Sequence, residues 1–257
     1  MRLAACVAGA VLALLAPATA WADPTESDRL RYAGDLLDPA TVADSSGYGL
    51  HGAVLTGGGG SVTGAVEPSG NRFLRFPGGT CAVAPCPQAI VQPAAATTLV
   101  PGADGFSFGA DIRLTGPPSP LAGMNVFQLG AAAAGVSQWK LQVDHGRPSC
   151  RWSDGTTAVL LSAGPTGFQL RPGAWHRVRC ARLSTVLFEI RVLDPATGDP
   201  LVPPTAKLAN VGPIRPTGAA VIGGKRIRAT QSDVDTDQFH GDLDDIEFGR
   251  RELPSDD

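Results

Sequence analysis

Apolar and polar residues alternate with a period of two along most of this chain, and that pattern constrains its fold more than any other feature. Phe106, Phe108, Ala110, Ile112 and Leu114 fall on one side of an extended segment, with Ser107, Gly109, Asp111 and Arg113 on the other. Trp139, Leu141 and Val143 alternate with Lys140, Gln142 and Asp144; Phe188, Ile190 and Val192 alternate with Glu189 and Arg191. In Trp175–Arg182, Val178 and Cys180 face one way and Arg177, Arg179 and Ala181 the other. Successive side chains of a strand point to opposite faces, so each run is a strand with one face in a core. Helical periodicity is nearly absent, and the Ala131–Ala134 run is closed off by Gly130 and Gly135. Turn signals recur at Gly57–Gly60, Gly116-Pro117-Pro118, Pro203-Pro204 and Gly223-Gly224, and His145-Gly146-Arg147-Pro148 reads as a tight turn. Many short strands with such punctuation describe an all-β, two-sheet antiparallel β-sandwich of the jelly-roll kind. No repeat or linker-like tract divides it.

The two ends lie outside that pattern. Residues 1–22 have a basic Arg2, an apolar run from Leu3 to Ala18 and a small-residue site at Ala20-Trp21-Ala22, the marks of a secretory signal peptide. Residues 23–252 then form one domain, with Asp23–Leu30 a polar lead-in and 253–257 a short tail without an apolar anchor. No second run reaches the roughly 18–20 apolar residues of a membrane span. The formal net charge is −3, with no block of one sign, so neither nucleic acid nor an anionic membrane surface is an expected partner. Lysine is scarce, occurring only at Lys140, Lys207 and Lys225.

With Cys6 removed in the signal, Cys81, Cys86, Cys150 and Cys180 remain. Four cysteines in an exported chain imply two disulfides, for which three pairings are open. Cys81–Cys86 and Cys150–Cys180 are preferred, because Cys150 and Cys180 both sit on apolar parities of strand-like runs. A loop of about 30 residues closed by the second bridge contributes roughly 3–4 kcal/mol on the chain-entropy account. A zinc site fits the spacing less well, since Cys-x4-Cys is wide for a metal knuckle.

Three segments occur in a telling order. They are Asp44-Ser45-Ser46-Gly47-Tyr48-Gly49-Leu50-His51-Gly52, Gly173-Ala174-Trp175-His176-Arg177-Val178, and Phe239-His240-Gly241-Asp242-Leu243-Asp244-Asp245-Ile246-Glu247-Phe248. Together they resemble the opening, central and closing elements of laminin-G-like jelly rolls of the concanavalin A-like lectin/glucanase superfamily. The resemblance implies a secreted β-sandwich that binds an extracellular partner, a glycan or a protein, without catalysis. It also implies a calcium ion near the termini, for which Asp44, Asp244 and Asp245 are the candidate ligands; the competing reading makes these aspartates turn caps. Asp233, Asp235 and Asp237 form a second acidic stretch that lacks the glycine and terminal glutamate of a calcium loop.

Sugar recognition calls for an exposed aromatic face beside polar groups. Tyr48 and Trp139, with Tyr32, are the candidates, while Trp175, Phe239 and Phe248 are expected to fill the core. Arg177, Arg179 and Arg182 are expected on an outer sheet face. A hydrolase reading meets a near-miss: Asp242-x-Asp244-x-x-Glu247 departs from the glucanase pattern Glu-x-Asp-x-x-Glu at its first position. Gly105-Phe106-Ser107-Phe108-Gly109 has the Gly-x-Ser-x-Gly spacing, but it lies inside an alternating strand run and not at a strand-to-helix turn, so triad chemistry has no support.

Overall fold

Each alternating run becomes a strand in the computed structural model, which describes residues 27–77, 81–116, 123–131, 133–231, 234, 237–251 and 253. The signal segment 1–22, Asp233, Asp235 and residues 254–257 lie outside the described residues. In chain order the strands are β1 (Ser27–Tyr32), β2 (Leu36–Asp38), β3 (Thr41–Val42), β4 (Gly52–Gly57), β5 (Thr63–Val66), β6 (Arg72–Arg75), β7 (Gln88–Pro93), β8 (Gly105–Leu114) and β9 (Met124–Leu129). They continue as β10 (Ser137–Asp144), β11 (Arg147–Asp154), β12 (Ala158–Ser162), β13 (His176–Arg182), β14 (Leu187–Leu193), β15 (Thr205–Leu208), β16 (Ala220–Ile222) and β17 (Gly241–Arg251). A 3₁₀ turn, Ala96–Leu99, precedes β8. Among the described residues no helix is long and apolar enough to cross a membrane.

The strands form two antiparallel sheets. Sheet A runs β15-β14-β13-β8-β17-β6-β5, with β1 added beside β17; sheet B runs β12-β11-β10-β9-β16-β7-β4-β3-β2. Residues from Ser27 onward, which the sequence offered as a polar lead-in, are in fact strand: β1 pairs with β17, Tyr32 opposite Ile246. β17 lies inside sheet A, against β8 along one side. Along the other it pairs first with β6, through Asp242 and Leu243, and then with β1. At the changeover one residue is inserted, since Asp244 pairs with Asp111 but Glu247 with Gly109. Asp245 takes φ 42° there, and its N–H donates to Asp244 Oδ1 at 2.7 Å. This β-bulge makes Leu243, Ile246 and Phe248 the core-facing set, a spacing of three and then two.

The core lies between the sheets. Trp139 is fully buried, its ring 4.7 Å from Phe127, 4.8 Å from Phe108 and 5.3 Å from Phe248. Its Nε1–H donates to the carbonyl of Leu99, so the indole's polar atom is satisfied inside. Cys150 of β11 bonds to Cys180 of β13, and Cys81 bonds to Cys86. The first of these bridges joins the two sheets, bringing their backbones to 5.9 Å between Cα atoms. Facing sheets ordinarily stand about 10 Å apart, so the sandwich is pinched on this side.

The glycines of the opening motif have two jobs. Gly47 and Gly49 sit at φ 90° and 69°, which L side chains rarely adopt. Gly52 begins β4 in ordinary extended backbone and is needed for close approach: a Cβ there would lie 2.4 Å from a Val91 methyl carbon and 2.8 Å from the Tyr32 hydroxyl.

Candidate functional site

The segment Asp44–Gly52 is a turn-rich connection, and its aspartate is what holds it. Asp44 Oδ1 accepts from the N–H groups of Arg31 and Ser46, each at 3.0 Å; Oδ2 accepts from the Ser46 hydroxyl at 2.9 Å and the Leu50 N–H at 2.8 Å. Partial burial works against the charged carboxylate, but these backbone donors outweigh it and hold its pKa below the usual range. Across β1, Asp245 is gripped by Arg31 Nη2 at 2.8 Å and Arg177 Nη2 at 3.0 Å. Asp244 accepts from Asn71 Nδ2 at 3.0 Å, and burial raises its pKa. The carboxylates named for calcium thus have amide and guanidinium partners. Among the described residues no group of three His, Cys, Asp or Glu side chains is arranged to hold a metal ion. The donor set does not fit calcium, which wants several oxygens free to converge.

The aromatic candidates also resolve. Trp139 cannot offer a sugar-stacking face, because its alternation with Lys140 turns it into the core. Tyr32 is fully buried, its hydroxyl donating to the Leu50 carbonyl at 2.6 Å. Tyr48 is exposed, but the Arg29 guanidinium lies 4.8 Å from its ring centroid and also bonds its hydroxyl. Trp175, expected in the core, is half-buried on the outside of sheet A. It shares the parity of Arg177, and its Nε1–H donates to Glu67 at 2.8 Å.

That outer face of sheet A is charge-compensated. Asp242, with its side chain 1% exposed, is held by Arg75 and Arg113. Arg113 lies 4.6 Å from the Phe73 ring centroid and 4.4 Å from that of Trp175. Arg177 pairs with Asp111, Arg179 with Glu247 and Arg191 with Glu189. Arg182, expected beside Arg177 and Arg179, instead shares the parity of Val178 and Cys180; it is 3% exposed and donates to the carbonyls of Thr185 and Val211. A hollow of about 360 Å³ opens here, bordered by Arg31, Arg177, Arg179, Arg191, Asp245 and Glu247. The four arginines named have carboxylate partners, while Arg182, which also lines it, donates to backbone carbonyls. Asp242 and Glu247, two of the carboxylates in the glucanase-like pattern, are likewise engaged by arginines.

The outer face of sheet B differs, and its geometry starts from a turn. His145 and Gly146 both have positive φ, 50° and 82°, and form a two-residue link between Asp144 and Arg147. Primed turns of this kind match strand twist and fix hairpin register. The register sets Leu141 opposite Cys150 and Trp139 opposite Trp152 toward the core, and Lys140 opposite Arg151 on the outside. Lys140 also faces Gln128 of β9, and Arg151 faces Leu160 of β12. The neighbouring row holds Gln138 opposite Ser153, and Ser153 opposite Ala158.

Walled by Ala133–Gly135 and Gly155–Thr156, these rows floor a cleft of about 560 Å³, within the range of small-molecule sites. Lys140 is 6% exposed and Gln138 1%. Gln138 Nε2 donates to the Gly130 carbonyl at 3.0 Å, while its Oε1, like Gln128 Oε1 and Arg151 Nε, is buried with no partner among the described residues. Burial, reinforced by the charge of Lys225, pulls the Lys140 pKa down to about 8. The signal in the sequence was slight: one of three lysines, placed on the polar parity of a strand.

Comparison with known proteins gives a fold and no family. No family model matches the chain, and no curated protein sequence is similar to it. Among solved structures, the receptor-binding domain of botulinum neurotoxin D superposes with a TM-score of 0.55 at 13% identity, covering 88% of this chain and 50% of that one. The binding domain of Paraclostridial Mosquitocidal Protein 1 gives 0.54 at 13%, covering 87% and 49%. The binding domain of botulinum neurotoxin DC, solved in complex with SialylT, gives 0.54 at 13%, covering 88% and 48%. The likeness is one of fold. The chain spans about half the length of each of these binding domains.

Proposed function

We propose that this chain is a secreted, non-catalytic, lectin-like domain that binds carbohydrate in the cleft on the outer face of sheet B. One observation carries the reading: Gln138, Lys140, Arg151 and Ser153 line an open cleft, Gln138 and Lys140 are nine-tenths or more buried, and among the described residues Gln138 Oε1 and Arg151 Nε have no partner. Burying a polar group without a hydrogen bond is costly, so such groups in a cleft mark a surface that a polar ligand completes. A saccharide suits it, because each hydroxyl both donates and accepts and so matches glutamine and serine side chains, while Ala158 and Leu160 take the apolar ring edges. Two disulfides and the signal-like segment 1–22 support an extracellular setting. The solved binding domains with the same sandwich, one of them in complex with SialylT, are in keeping with the reading.

The test is a panel of neutral and acidic oligosaccharides presented to the full chain and to Gln138→Leu. Saturable binding that the substitution weakens at least about tenfold, equivalent to ~1.4 kcal/mol, supports the reading. Absence of binding to every saccharide, or binding that Gln138→Leu leaves untouched, refutes it and favours an extracellular protein partner instead.

A further inference from the structure

Resting on the cleft as a carbohydrate site, we infer that it selects anionic saccharides, seating a carboxylate or sulfate ester between the Lys140 ammonium and the Arg151 guanidinium. The argument begins with register. Lys140 and Arg151 are directly opposite one another across β10 and β11, and like charges at facing positions of an antiparallel pair repel. On sheet A, Arg179 also faces Arg191, but there each has a carboxylate of its own, Glu247 and Glu189. Here neither does: among the described residues no carboxylate forms an ion pair with Lys140 or Arg151.

The surrounding charged groups are committed elsewhere. Lys225 and Asp237 pair with each other at 2.7 Å. Asp144 accepts from Gln142 Nε2 at 2.5 Å and from the Ser149 hydroxyl at 3.0 Å. Lys140 therefore feels attraction from Asp237 and Asp144 and repulsion from Lys225 and Arg151. An anion placed between the two facing cations removes their repulsion and supplies both with charge-assisted hydrogen bonds. The same anion has less to gain beside Arg177, Arg179 or Arg191 on sheet A, each of which already has a carboxylate partner.

The dependence on pH follows from the same groups. Burial lowers the Lys140 pKa to about 8, so its ammonium is lost as pH rises through that value. Affinity for an acidic saccharide is therefore high below about pH 8 and falls as pH rises through that value, a profile that a neutral sugar does not share.

The experiment compares matched ligands on the full chain by calorimetry: a uronic-acid oligosaccharide, its methyl ester, the corresponding neutral oligosaccharide and a sulfated one. Each is measured at pH 6.5 and 9.5, with Lys140→Met, Lys140→Arg and Arg151→Gln alongside. The acidic form is expected to bind at least about tenfold tighter than its ester, a preference lost in Lys140→Met, kept in Lys140→Arg and weakened at pH 9.5. Whether the carboxylated or the sulfated ligand binds tighter identifies the anion, and either supports the inference. Equal affinity for acid, ester and neutral forms, unchanged by Lys140→Met, overturns anion selection while leaving the carbohydrate reading intact; no binding by any of the four ligands overturns both. Removing a buried charge should leave Lys140→Met at least as heat-stable as the parent, and Arg151→Gln tests the same point independently should it not fold.

Discussion

Asp242→Asn measures how strongly the outside of sheet A is tied together by charge. The Asp242 carboxylate receives Arg75 Nε and Nη2 at 2.8 and 3.2 Å and Arg113 Nε and Nη2 at 2.9 and 2.8 Å. The two arginines are not equivalent. Arg75 is 51% exposed, so losing that pair costs at most about 1 kcal/mol. Arg113 is 17% exposed and flanked by Phe73 and Trp175, so it cannot retreat into water. Breaking a buried ion pair from one side costs about 3–5 kcal/mol. Arg113 keeps Glu67 as a second carboxylate, which places the expected loss near the lower bound, about 3 kcal/mol in all. At about 2–4 °C per kcal/mol for a chain of this size, Tm should fall by roughly 6–12 °C. The assay is thermal and urea unfolding followed by circular dichroism, with Arg75→Gln as the partner variant expected to lose no more than about 1 kcal/mol. Should the two variants lose the same amount, or Asp242→Asn lose less than about 1 kcal/mol, the pair behaves as a solvated surface contact and the reasoning fails.

Replacing Cys150 and Cys180 together by alanine should cost about 3–4 kcal/mol on the chain-entropy account for a separation of 30 residues, read as a lower urea midpoint. Asp44→Ala strands the N–H groups of Arg31, Ser46 and Leu50 and should cost about 2–3 kcal/mol. Because the folded-state pKa of Asp44 is depressed, its contribution is complete above the ordinary carboxylate value of about 3.9 and is lost as pH falls through the folded value. Acid titration of stability should therefore be flatter in Asp44→Asn than in the parent; identical profiles would exclude the hydrogen-bonded carboxylate as the cause. Gly52→Ala should destabilise through its approach to Val91 and Tyr32, whereas Gly59, with open space at its Cβ but φ 77°, should lose only the backbone preference of about 1 kcal/mol; comparable urea midpoints for the two variants would refute the distinction.

Period-two alternation was enough to read the sandwich, and the parity of Cys150 and Cys180 was enough to point them inward. The same parity already turned Trp139 into the core beside Leu141 and Val143, so its candidacy for sugar stacking conflicted with the pattern that defined its strand. The bulge at Asp244-Asp245 was also written in the spacing of Leu243, Ile246 and Phe248, although it takes φ at Asp245 to show which residue is the extra one. The facing of Lys140 and Arg151 was not legible. It depends on a two-residue turn at His145-Gly146, and a turn one residue longer would have set Lys140 against a different neighbour. Nor could a one-dimensional pattern show that Arg177, Arg179 and Arg75 find carboxylates while Arg151 finds none among the described residues, since their partners come from strands distant in sequence.

The position of β17 within sheet A also governs when this molecule can fold. It is the last described strand to leave the ribosome, yet it fills a place between strands made much earlier. Until it arrives, β8 on one side and β6 with β1 on the other have open hydrogen-bonding edges, and Phe108, Leu74 and Leu30 lack the Leu243, Ile246 and Phe248 that cover them. Folding therefore cannot proceed steadily from the first strand to the last. The growing chain must be kept from sticking to its neighbours through those edges, and truncation before Gly241 should yield an aggregating product in place of a smaller domain.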